Sequence, residues 1–397
     1  MRQTDIAIVG SGLAGSATAA TLGAAGIDTL LIDPRSVYPP DLRCEKLAGY
    51  QLDVLRDRAL ASAIMAAATF DRGVWVSRFG RVIDNKASDQ YGILYDDLVA
   101  AVRGAVPPSV GRVLAKANGI KPSGGRQEVT LSDGETISAR LVVLANGLNN
   151  GLREELGVKR VTLSAAHSTT IAFNIRARNG TRFPFPALTF YSENIAARMA
   201  YLTLFPVRDG MRANLMVYRT IDDPWLRRML EAPETAMFEL MPSLKQMVGE
   251  VEIEMPVKVR PADLTVSEGF RQPGVVLVGD AFATSCPAAG TGVDKVFTDV
   301  DLLCNTYIPA WLATPGMGVE KLGQFYDDPV KRACDARTIE RAYALRAFSI
   351  DPSPIWAWRR WSRFIGRGAI GVLHRLRLRL RWTPPASALS GYAQGRR

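Results

Sequence analysis

The chain begins with an alternation of short apolar runs and a stretch of helical composition. Residues 5–9 are mostly apolar and rich in β-branched side chains, a pattern typical of a buried strand. The glycine-rich residues 10–15 follow, and the alanine-rich segment after them favours a helix. A second apolar run, residues 29–32, ends in Asp33. The pattern predicts a strand, a tight turn, a helix and a second strand that ends in a carboxylate.

The glycine spacing of this turn, GxGxxG, is suited to binding a pyrophosphate. Gly10 lets the chain turn, Gly12 lets the backbone approach the phosphates, and Gly15 lets the helix pack close to the strand. The helix N-terminus then faces the negative charge that its dipole favours. Asp33 can accept hydrogen bonds from ribose hydroxyls, so the segment is predicted to bind a dinucleotide. Neighbouring candidates for cofactor contact are Ser11, Ala14, Pro34 and Arg35.

A second glycine-containing signature lies far downstream. Residues 274–278 form another buried-strand run, and Asp280 follows it at the carboxyl end, where ligands of open α/β sheets bind. The next loop leads into a helical run over residues 293–303, so backbone N–H groups there can stabilise charge on an electron-rich ring. Together the two signatures indicate FAD. The cofactor candidates on this loop are Pro287, Gly290, Thr291, Gly292 and Val293.

Strand patterns fill most of the stretch between the two signatures. Residues 127–131 and 136–144 flank Asp133–Gly134, a strong hairpin signal, and lead the chain to Asn146. We therefore expect an α/β fold, in which a Rossmann-like FAD-binding domain of the GxGxxG type contains an inserted, mainly antiparallel sheet and a C-terminal helical region follows. Three further runs predict strands of the inserted sheet: residues 168–175, 200–205 and 212–218.

Composition is that of a soluble enzyme. The chain has 397 residues, of which 47% are hydrophobic, and can bury a substantial core. We find no apolar run of the roughly 20 residues that span a bilayer, and no basic segment that would begin a signal peptide. The expected location is cytoplasmic. Four cysteines without paired spacing or neighbouring histidines predict neither disulfides nor a metal site: Cys44, Cys286, Cys304 and Cys334.

The net charge of +10 is concentrated in the C-terminal tail. Residues 352–397 contain ten arginines and no acidic residue, and tryptophans alternate with the arginines. Such a segment suits an anionic membrane surface, which would make the enzyme peripheral at the inner face of the membrane. The alternative is a helix that caps the body with its apolar side while its arginines are solvated. Nucleic acid is not an expected partner, because no recognition motif accompanies the charge.

These motifs occur in an order and spacing that resemble the flavoproteins of the para-hydroxybenzoate hydroxylase type. The resemblance spans residues 1–305. It implies that the N-terminal glycines hold the FAD pyrophosphate, that Asp33 binds ribose, that Asp280 binds the ribitol chain, and that Arg43 is a further cofactor contact. It places the loop over residues 287–293, here called the flavin loop, beside the isoalloxazine ring. It also implies that the inserted sheet builds the substrate pocket.

On this basis the predicted domains follow the order of the motifs. Residues 1–158 and 261–310 are assigned to the FAD-binding domain. Residues 159–260 are assigned to the substrate-binding sheet, and residues 311–397 to the C-terminal helical region with its basic tail.

The resemblance also implies the chemistry. NAD(P)H reduces the flavin, O2 adds at its C4a position, and the hydroperoxide hydroxylates or epoxidises an apolar aromatic or isoprenoid-like molecule. Asn146, a further candidate for cofactor contact, stands where the family has aspartate, so a separate flavin reductase is an alternative electron source. Flavin-dependent halogenases often carry serine or threonine at the position that matches Thr291. The tryptophan segment of the halogenases is absent from residues 150–260. Reductases of the geranylgeranyl type and a flavin-binding redox sensor are further alternatives.

No catalytic residue follows from the sequence. Hydroxylation of a phenol benefits from a base near the substrate hydroxyl. His167 begins a predicted strand, and Cys286 directly precedes the flavin loop. Tyr201 lies on another predicted strand. These three residues are the catalytic candidates, and no role is assigned to any of them.

Overall fold

The strands of this computed structural model, which describes residues 1–192 and 194–366, belong mainly to two large sheets. In chain order the strands are β1 (Arg2–Val9), β2 (Thr29–Ile32), β3 (Lys46–Ala48), β4 (Thr69–Phe70), β5 (Val74–Arg78), β6 (Arg81–Lys86), β7 (Gln90–Gly92), β8 (Gly111–Val113), β9 (Ala117–Lys121), β10 (Gln127–Leu131), β11 (Thr136–Leu144), β12 (Lys159–Ala177), β13 (Leu188–Tyr191), β14 (Met199–Val207), β15 (Gly210–Val217), β16 (Val251–Glu268) and β17 (Val275–Leu277).

Helices cover both large sheets. They are α1 (Leu13–Ala24), α2 (Gly49–Asp53), α3 (Arg58–Ala67), α4 (Tyr95–Gly104), α5 (Gly151–Glu155), α6 (Pro224–Glu231), α7 (Pro233–Leu240), α8 (Lys245–Val248), α9 (Gly292–Leu302), α10 (Ile308–Leu312), α11 (Val319–Asp327) and α12 (Pro329–Ile350). Residues 354–366 are also helical and are called the terminal segment below.

The first sheet has the strand order β8-β2-β1-β11-β10-β9, and β17 also pairs with β11. Strands β8, β2, β1, β11 and β17 are mutually parallel, whereas β10 and β9 are antiparallel. Apolar side chains on both faces are buried, as a parallel sheet between helices requires. The carboxyl ends of β1, β11 and β17 therefore meet at one edge and lead into Gly10, Ala145 and Val278.

The second sheet has the order β16-β12-β15-β14-β13-β5-β6. Its neighbours are antiparallel except for β13 and β5, which are parallel. Alternate side chains, such as Phe173 and Leu202, face helices α6 to α8 and form a separate core with them. The opposite face, which includes Met216, packs on residues 286–289 and on α12. This arrangement places the second sheet against the flavin loop.

Strands β5 and β6 join the second sheet although they come from residues 74–86, before the predicted insertion. The sequence analysis did not indicate this pairing. Strand pairing between distant segments depends on tertiary contacts and is not encoded in the local alternation of side chains.

The C-terminal helices connect the two sheets. Helix α12 is held to α9 by a buried ion cluster in which Lys331 lies 2.7 Å and Lys295 3.3 Å from the Asp299 carboxylate. Among the described residues, no helix is both long and apolar enough to span a bilayer. Most of the basic tail predicted to bind a membrane, from residue 367 onward, lies outside the described residues.

Candidate functional site

The glycine turn after β1 leaves no room for side chains. Gly10 has φ +103°, and a Cβ there would lie 2.6 Å from the carbonyl oxygen of Ala145. A Cβ on Gly15 would lie 1.8 Å from the carbonyl oxygen of Gly10. Both distances are shorter than any tolerated contact, so glycine is required at both positions for β1, α1 and β11 to meet.

The N-terminus of α1 is arranged to bind an anion. Gly12 is its N-cap residue and has no side chain to occupy the first N–H groups of the helix. Ala14 lies in the first turn and is buried against the second signature, since a Cβ on Gly279 would lie 3.1 Å from its Cβ. The two glycine signatures are therefore adjacent in space. The open cradle and the free N–H groups fit a pyrophosphate.

Asp33 is held in place at the end of β2. Its carboxylate accepts hydrogen bonds from the backbone N–H groups of Ser11 and Arg35, both at 2.8 Å. Pro34 and the Arg35 side chain are exposed at the rim. Because backbone donors fix the carboxylate, it is oriented before a ribose binds.

Arg103 is a member of this cluster that the sequence analysis missed. It lies in the last turn of α4 and donates from Nε to the carbonyl oxygen of Ser11 at 2.8 Å. Its guanidinium also bonds the Ser11 hydroxyl and lies 3.9 Å from the Asp33 carboxylate. No local signal marks this arginine, because its partner is 92 residues away.

Asp280 and Arg43, which were both predicted to contact the cofactor, form an ion pair at the edge of the first sheet. Arg43 also bonds Asp41 at 2.7 Å, and Asp41 in turn bonds Arg260. The Tyr95 ring lies 5.7 Å from the Arg43 guanidinium. Burial lowers the pKa of Arg43, but Asp280, Tyr95 and Asp41 together outweigh this effect and raise that pKa above its usual value. Asp41 and Arg260 had not been predicted.

Asn146 supplies an unpaired acceptor close to these groups. Its Nδ2 donates to the carbonyl oxygen of Asn149 at 3.2 Å, whereas its Oδ1 is buried and has no hydrogen-bond partner among the described residues. Arg153, which is 2% exposed, donates to the carbonyl oxygen of Ala281 at 2.9 Å. A buried carbonyl oxygen without a partner is unfavourable and suits a donor on a bound cofactor.

The flavin loop presents its backbone toward the same edge. Pro287 begins one short helical turn that ends at Gly290, which has φ +67°. Gly292 begins α9 and has no room for a Cβ, which would lie 2.7 Å from Ser285 Oγ. Val293 is buried, and the Thr291 hydroxyl is buried without a hydrogen-bond partner among the described residues. The loop thus combines a free helix N-terminus with an unpaired polar atom, and both fit a polar ring edge.

Gln51 anchors the flavin loop from outside. Its Nε2 donates to the carbonyl oxygen of Gly290 at 3.3 Å and also to the Asp294 carboxylate. Its Oε1 accepts from the backbone N–H of Ala48 at 2.8 Å. No sequence pattern marks Gln51, because the loop it contacts is 239 residues away.

His167 lies on β12 and is buried where this strand contacts α12. Its Nε2 lies 3.3 Å from the carbonyl oxygen of Ala342, and its Nδ1 lies 3.1 Å from the Ser164 hydroxyl. Donation from Nε2 and acceptance at Nδ1 satisfy both contacts with a neutral ring. Burial lowers the pKa of His167, so the imidazole is uncharged at neutral pH. These contacts link the second sheet to α12.

Tyr201 and Cys286 lie together at the flavin loop. The Tyr201 hydroxyl donates to the carbonyl oxygen of Ala288 at 2.5 Å. The Cys286 thiol is fully buried, 3.4 Å from the Ser168 hydroxyl. Burial raises the pKa values of both the Tyr201 phenol and the Cys286 thiol. His167 and Cys286 are buried, Tyr201 is half-buried, and all three catalytic candidates are uncharged at neutral pH.

A buried ion pair on the second sheet had no signal in the sequence. Arg212 on β15 donates to both carboxylate oxygens of Glu45, at 2.8 and 2.9 Å. The two side chains are more than nine-tenths buried and lie 167 residues apart in the chain. The pair fixes the segment before β3 against the second sheet.

Comparisons with known proteins identify the family and the fold of the chain. The FAD binding domain family matches residues 3–90 and 112–308. The chain belongs to this family. A 3-demethoxyubiquinol 3-hydroxylase of Escherichia coli is 25% identical over 352 residues, covering 79% of this chain and 83% of the relative. A digeranylgeranylglycerophospholipid reductase of Thermoplasma acidophilum is 25% identical over 308 residues, covering 74% of this chain and 75% of the relative.

Solved structures share the fold. A p-nitrophenol 4-monooxygenase from Pseudomonas putida superposes with a TM-score of 0.72 at 16% identity, over 96% of this chain and 98% of that chain. A flavin-dependent brominase superposes with a TM-score of 0.67 at 16% identity, over 96% and 100%. The predicted fold and FAD cofactor are confirmed. The family and the enzyme relatives show that this chain is an FAD-dependent oxidoreductase.

Proposed function

We propose that this enzyme inserts oxygen into an apolar aromatic or isoprenoid-like small molecule at an anionic membrane surface, with NAD(P)H as reductant. The observation that carries the proposal is the uncharged, buried face between the second sheet and the flavin loop. FAD supplies electron transfer and oxygen activation when bound. The protein binds and orients the cofactor, and it excludes water from the reacting atoms.

Each part of the site has a distinct task in this proposal. The α1 N-terminus and Asp33 bind the pyrophosphate and the ribose, while Asp280 and Arg43 orient the ribitol chain. The N-terminus of α9 stabilises negative charge on the reduced ring. Tyr201 holds the flavin loop against the sheet through the carbonyl oxygen of Ala288.

An apolar substrate is supported by the sheet face and by two relatives. Met216 and Tyr218 form a buried cluster with Cys286 and Ala288 where the sheet meets the flavin loop. A ubiquinol hydroxylase and a digeranylgeranyl phospholipid reductase are among the relatives of the chain. An apolar substrate gains free energy by burial against such a surface.

Membrane association is supported by the terminal segment. Four large apolar side chains along it are 55–69% exposed: Ile355, Trp358, Trp361 and Ile365. Arg359 and Arg363 are exposed beside them. An exposed stripe of tryptophan and isoleucine flanked by arginines is the composition that binds anionic lipid interfaces.

The reaction is tested by adding NADH or NADPH to the purified flavoprotein without oxygen, and then admitting oxygen together with candidate phenols and prenylated phenols. Bleaching of the flavin absorbance by nicotinamide, followed by an oxygenated product, is the expected result. Bound FAD that ignores both nicotinamides would reject direct NAD(P)H use and indicate a separate flavin reductase. Oxygen-independent reduction of a double bond would reject oxygenation and indicate the reductase alternative.

The membrane proposal has its own test. Sedimentation with vesicles that contain phosphatidylglycerol should carry down the full chain, and vesicles of phosphatidylcholine alone should carry down much less. A chain shortened before residue 354 should remain in the supernatant with its FAD bound. Unchanged binding of the shortened chain would contradict membrane docking through the C-terminal region.

A further inference from the structure

A cavity of about 220 Å³ lies between the terminal segment, α12 and the edge of the second sheet. Its walls are largely aromatic and aliphatic. The residues that carry the argument are Phe79, Tyr191, Ala200, Phe348, Ala357 and Trp361. The cofactor contacts described above are not among its walls, so the cavity is distinct from the FAD cradle.

The outer end of the cavity lies at the exposed apolar stripe. Trp361 lines the cavity, is 55% exposed, and stacks on Phe79 with 5.0 Å between ring centroids. Trp358 and Ile365 lie three and four residues from Trp361 on the same helical face. A molecule that passes into the cavity from an apolar surface in contact with this stripe therefore contacts the Trp361 and Phe79 rings first.

The inner end of the cavity approaches the flavin loop. Tyr191 lines the cavity, and its ring lies edge-on to Tyr201 with 5.8 Å between centroids. Tyr201 in turn bonds the carbonyl oxygen of Ala288 in the flavin loop. Ala200, another wall residue, packs in the same buried cluster as Ala288. One aromatic layer therefore separates the cavity from the loop.

The polar residues of the cavity are the neutral Ser192, Asn194 and Ser349 and two arginines, and among the described residues its only charged groups are these guanidinium groups. Arg360 donates to the carbonyl oxygens of Phe348 at 3.0 Å and Asp351 at 2.9 Å, which fixes the terminal segment to the end of α12. The Arg78 guanidinium lies 4.0 Å from the Tyr191 ring centroid. Guanidinium groups among aromatic rings favour π-electron-rich groups over cations. The chemistry suits an unsaturated apolar chain.

We propose that this cavity binds the unsaturated apolar chain of the substrate, received at the Trp361 mouth, while the reacting ring extends past Tyr191 to the flavin loop. The inference rests on the proposed function and adds a second binding site to it. Because the chain contributes affinity by apolar burial, a chain-bearing substrate should bind the holoenzyme more tightly than its bare ring.

The test compares two probes, phenol and a phenol that bears a farnesyl chain, by isothermal titration calorimetry on the holoenzyme. The farnesyl phenol should bind at least ~10-fold more tightly than phenol to the unmodified enzyme. Ala357→Trp fills the cavity from the terminal segment and should remove most of that preference. Ala344→Trp, on the exposed side of α12, is the matched control and should leave the preference unchanged.

A preference for the farnesyl phenol that survives Ala357→Trp would overturn the proposal. If the Ala357→Trp variant loses FAD, the position of the chain is determined by photolabelling the unmodified holoenzyme. The probe is a farnesyl phenol with a photoreactive diazirine at the chain end. Labelling of Phe79 or Trp361 supports the site, and labelling confined to other regions rejects it. Chain binding without any oxygenated product would instead reject the proposed reaction and retain the cavity assignment.

Discussion

The two ends of the candidate site differ in the charge of their side chains. At the cofactor end, charged groups such as Asp33, Asp280 and Arg43 are fixed by hydrogen bonds and ion pairs. At the flavin loop, burial raises the pKa values of Tyr201 and Cys286, and beside α12 burial lowers the pKa of His167, so all three side chains are uncharged at neutral pH. Under the proposed function, charged groups hold the cofactor and the region of reaction contains uncharged side chains.

Desolvation explains why the two ends are built differently. A buried charge without a partner is costly, so the charges of the cofactor end occur in pairs at partly exposed positions. The Arg43 and Asp280 side chains are 23% and 27% exposed, whereas Cys286 has no exposure. A dry surface also protects reactive intermediates from water. Mutations at the two ends should therefore fail in different ways.

The largest effect is expected from Gly15→Ala. The added methyl group would occupy the position of the Gly10 carbonyl oxygen, so the turn must open. We expect loss of bound FAD and a stability loss of roughly 3 kcal/mol or more, measured by flavin content and chemical unfolding. Gly104→Ala at the end of α4 is the control, since nothing lies within 4 Å of its added Cβ. Full flavin content in Gly15→Ala would show that this turn does not bind the cofactor.

Asp280→Ala should act on the cofactor end alone. It removes the main partner of Arg43, so FAD binding should weaken roughly 100-fold while the fold survives. Equilibrium titration of the apoprotein with FAD measures the change. Asp327→Ala, which breaks an exposed pair with Arg271, should leave FAD affinity unchanged. Equal FAD affinities in all three proteins would refute the cofactor role of Asp280.

Tyr201→Phe should act on the flavin loop alone. Loss of the hydroxyl frees the Ala288 carbonyl oxygen and loosens the loop, so kcat should fall about 10-fold with FAD fully bound. Product formed per NAD(P)H oxidised should also fall, because water gains access. Steady-state kinetics with product quantification would test both. A kcat decrease of more than ~1000-fold would instead indicate that Tyr201 contacts the substrate as a catalytic residue.

The smallest effect concerns the pH dependence of stability through His167. Burial lowers its pKa in the folded state, so its contribution to stability is complete above the unfolded pKa of about 6.5. That contribution is lost as the pH falls toward the lower folded pKa. Urea unfolding midpoints should therefore fall less between pH 7 and pH 5 for His167→Gln than for the unmodified chain. Parallel profiles would show that His167 does not titrate in this range.

Much of the cofactor end could be predicted because its signals are local in the sequence. The turn over residues 10–15, the carboxylate after β2 and the Asp280 position all follow from short-range rules of backbone conformation. The hairpin over residues 127–144 has the predicted boundaries, since Asp133–Gly134 specifies a turn between alternating strands. The catalytic candidates remain predictions, because no local pattern distinguishes a reactive side chain from a buried one.

The sequence by itself therefore determined the strand-turn-helix unit, the dinucleotide and the antiparallel character of the inserted sheet. Only the tertiary structure decided which distant residues complete the site. Arg103, Gln51 and the pair of Glu45 with Arg212 depend on partners 92, 239 and 167 residues away. Backbone conformation follows from neighbours along the chain, whereas side-chain partners follow from packing, which no short segment contains.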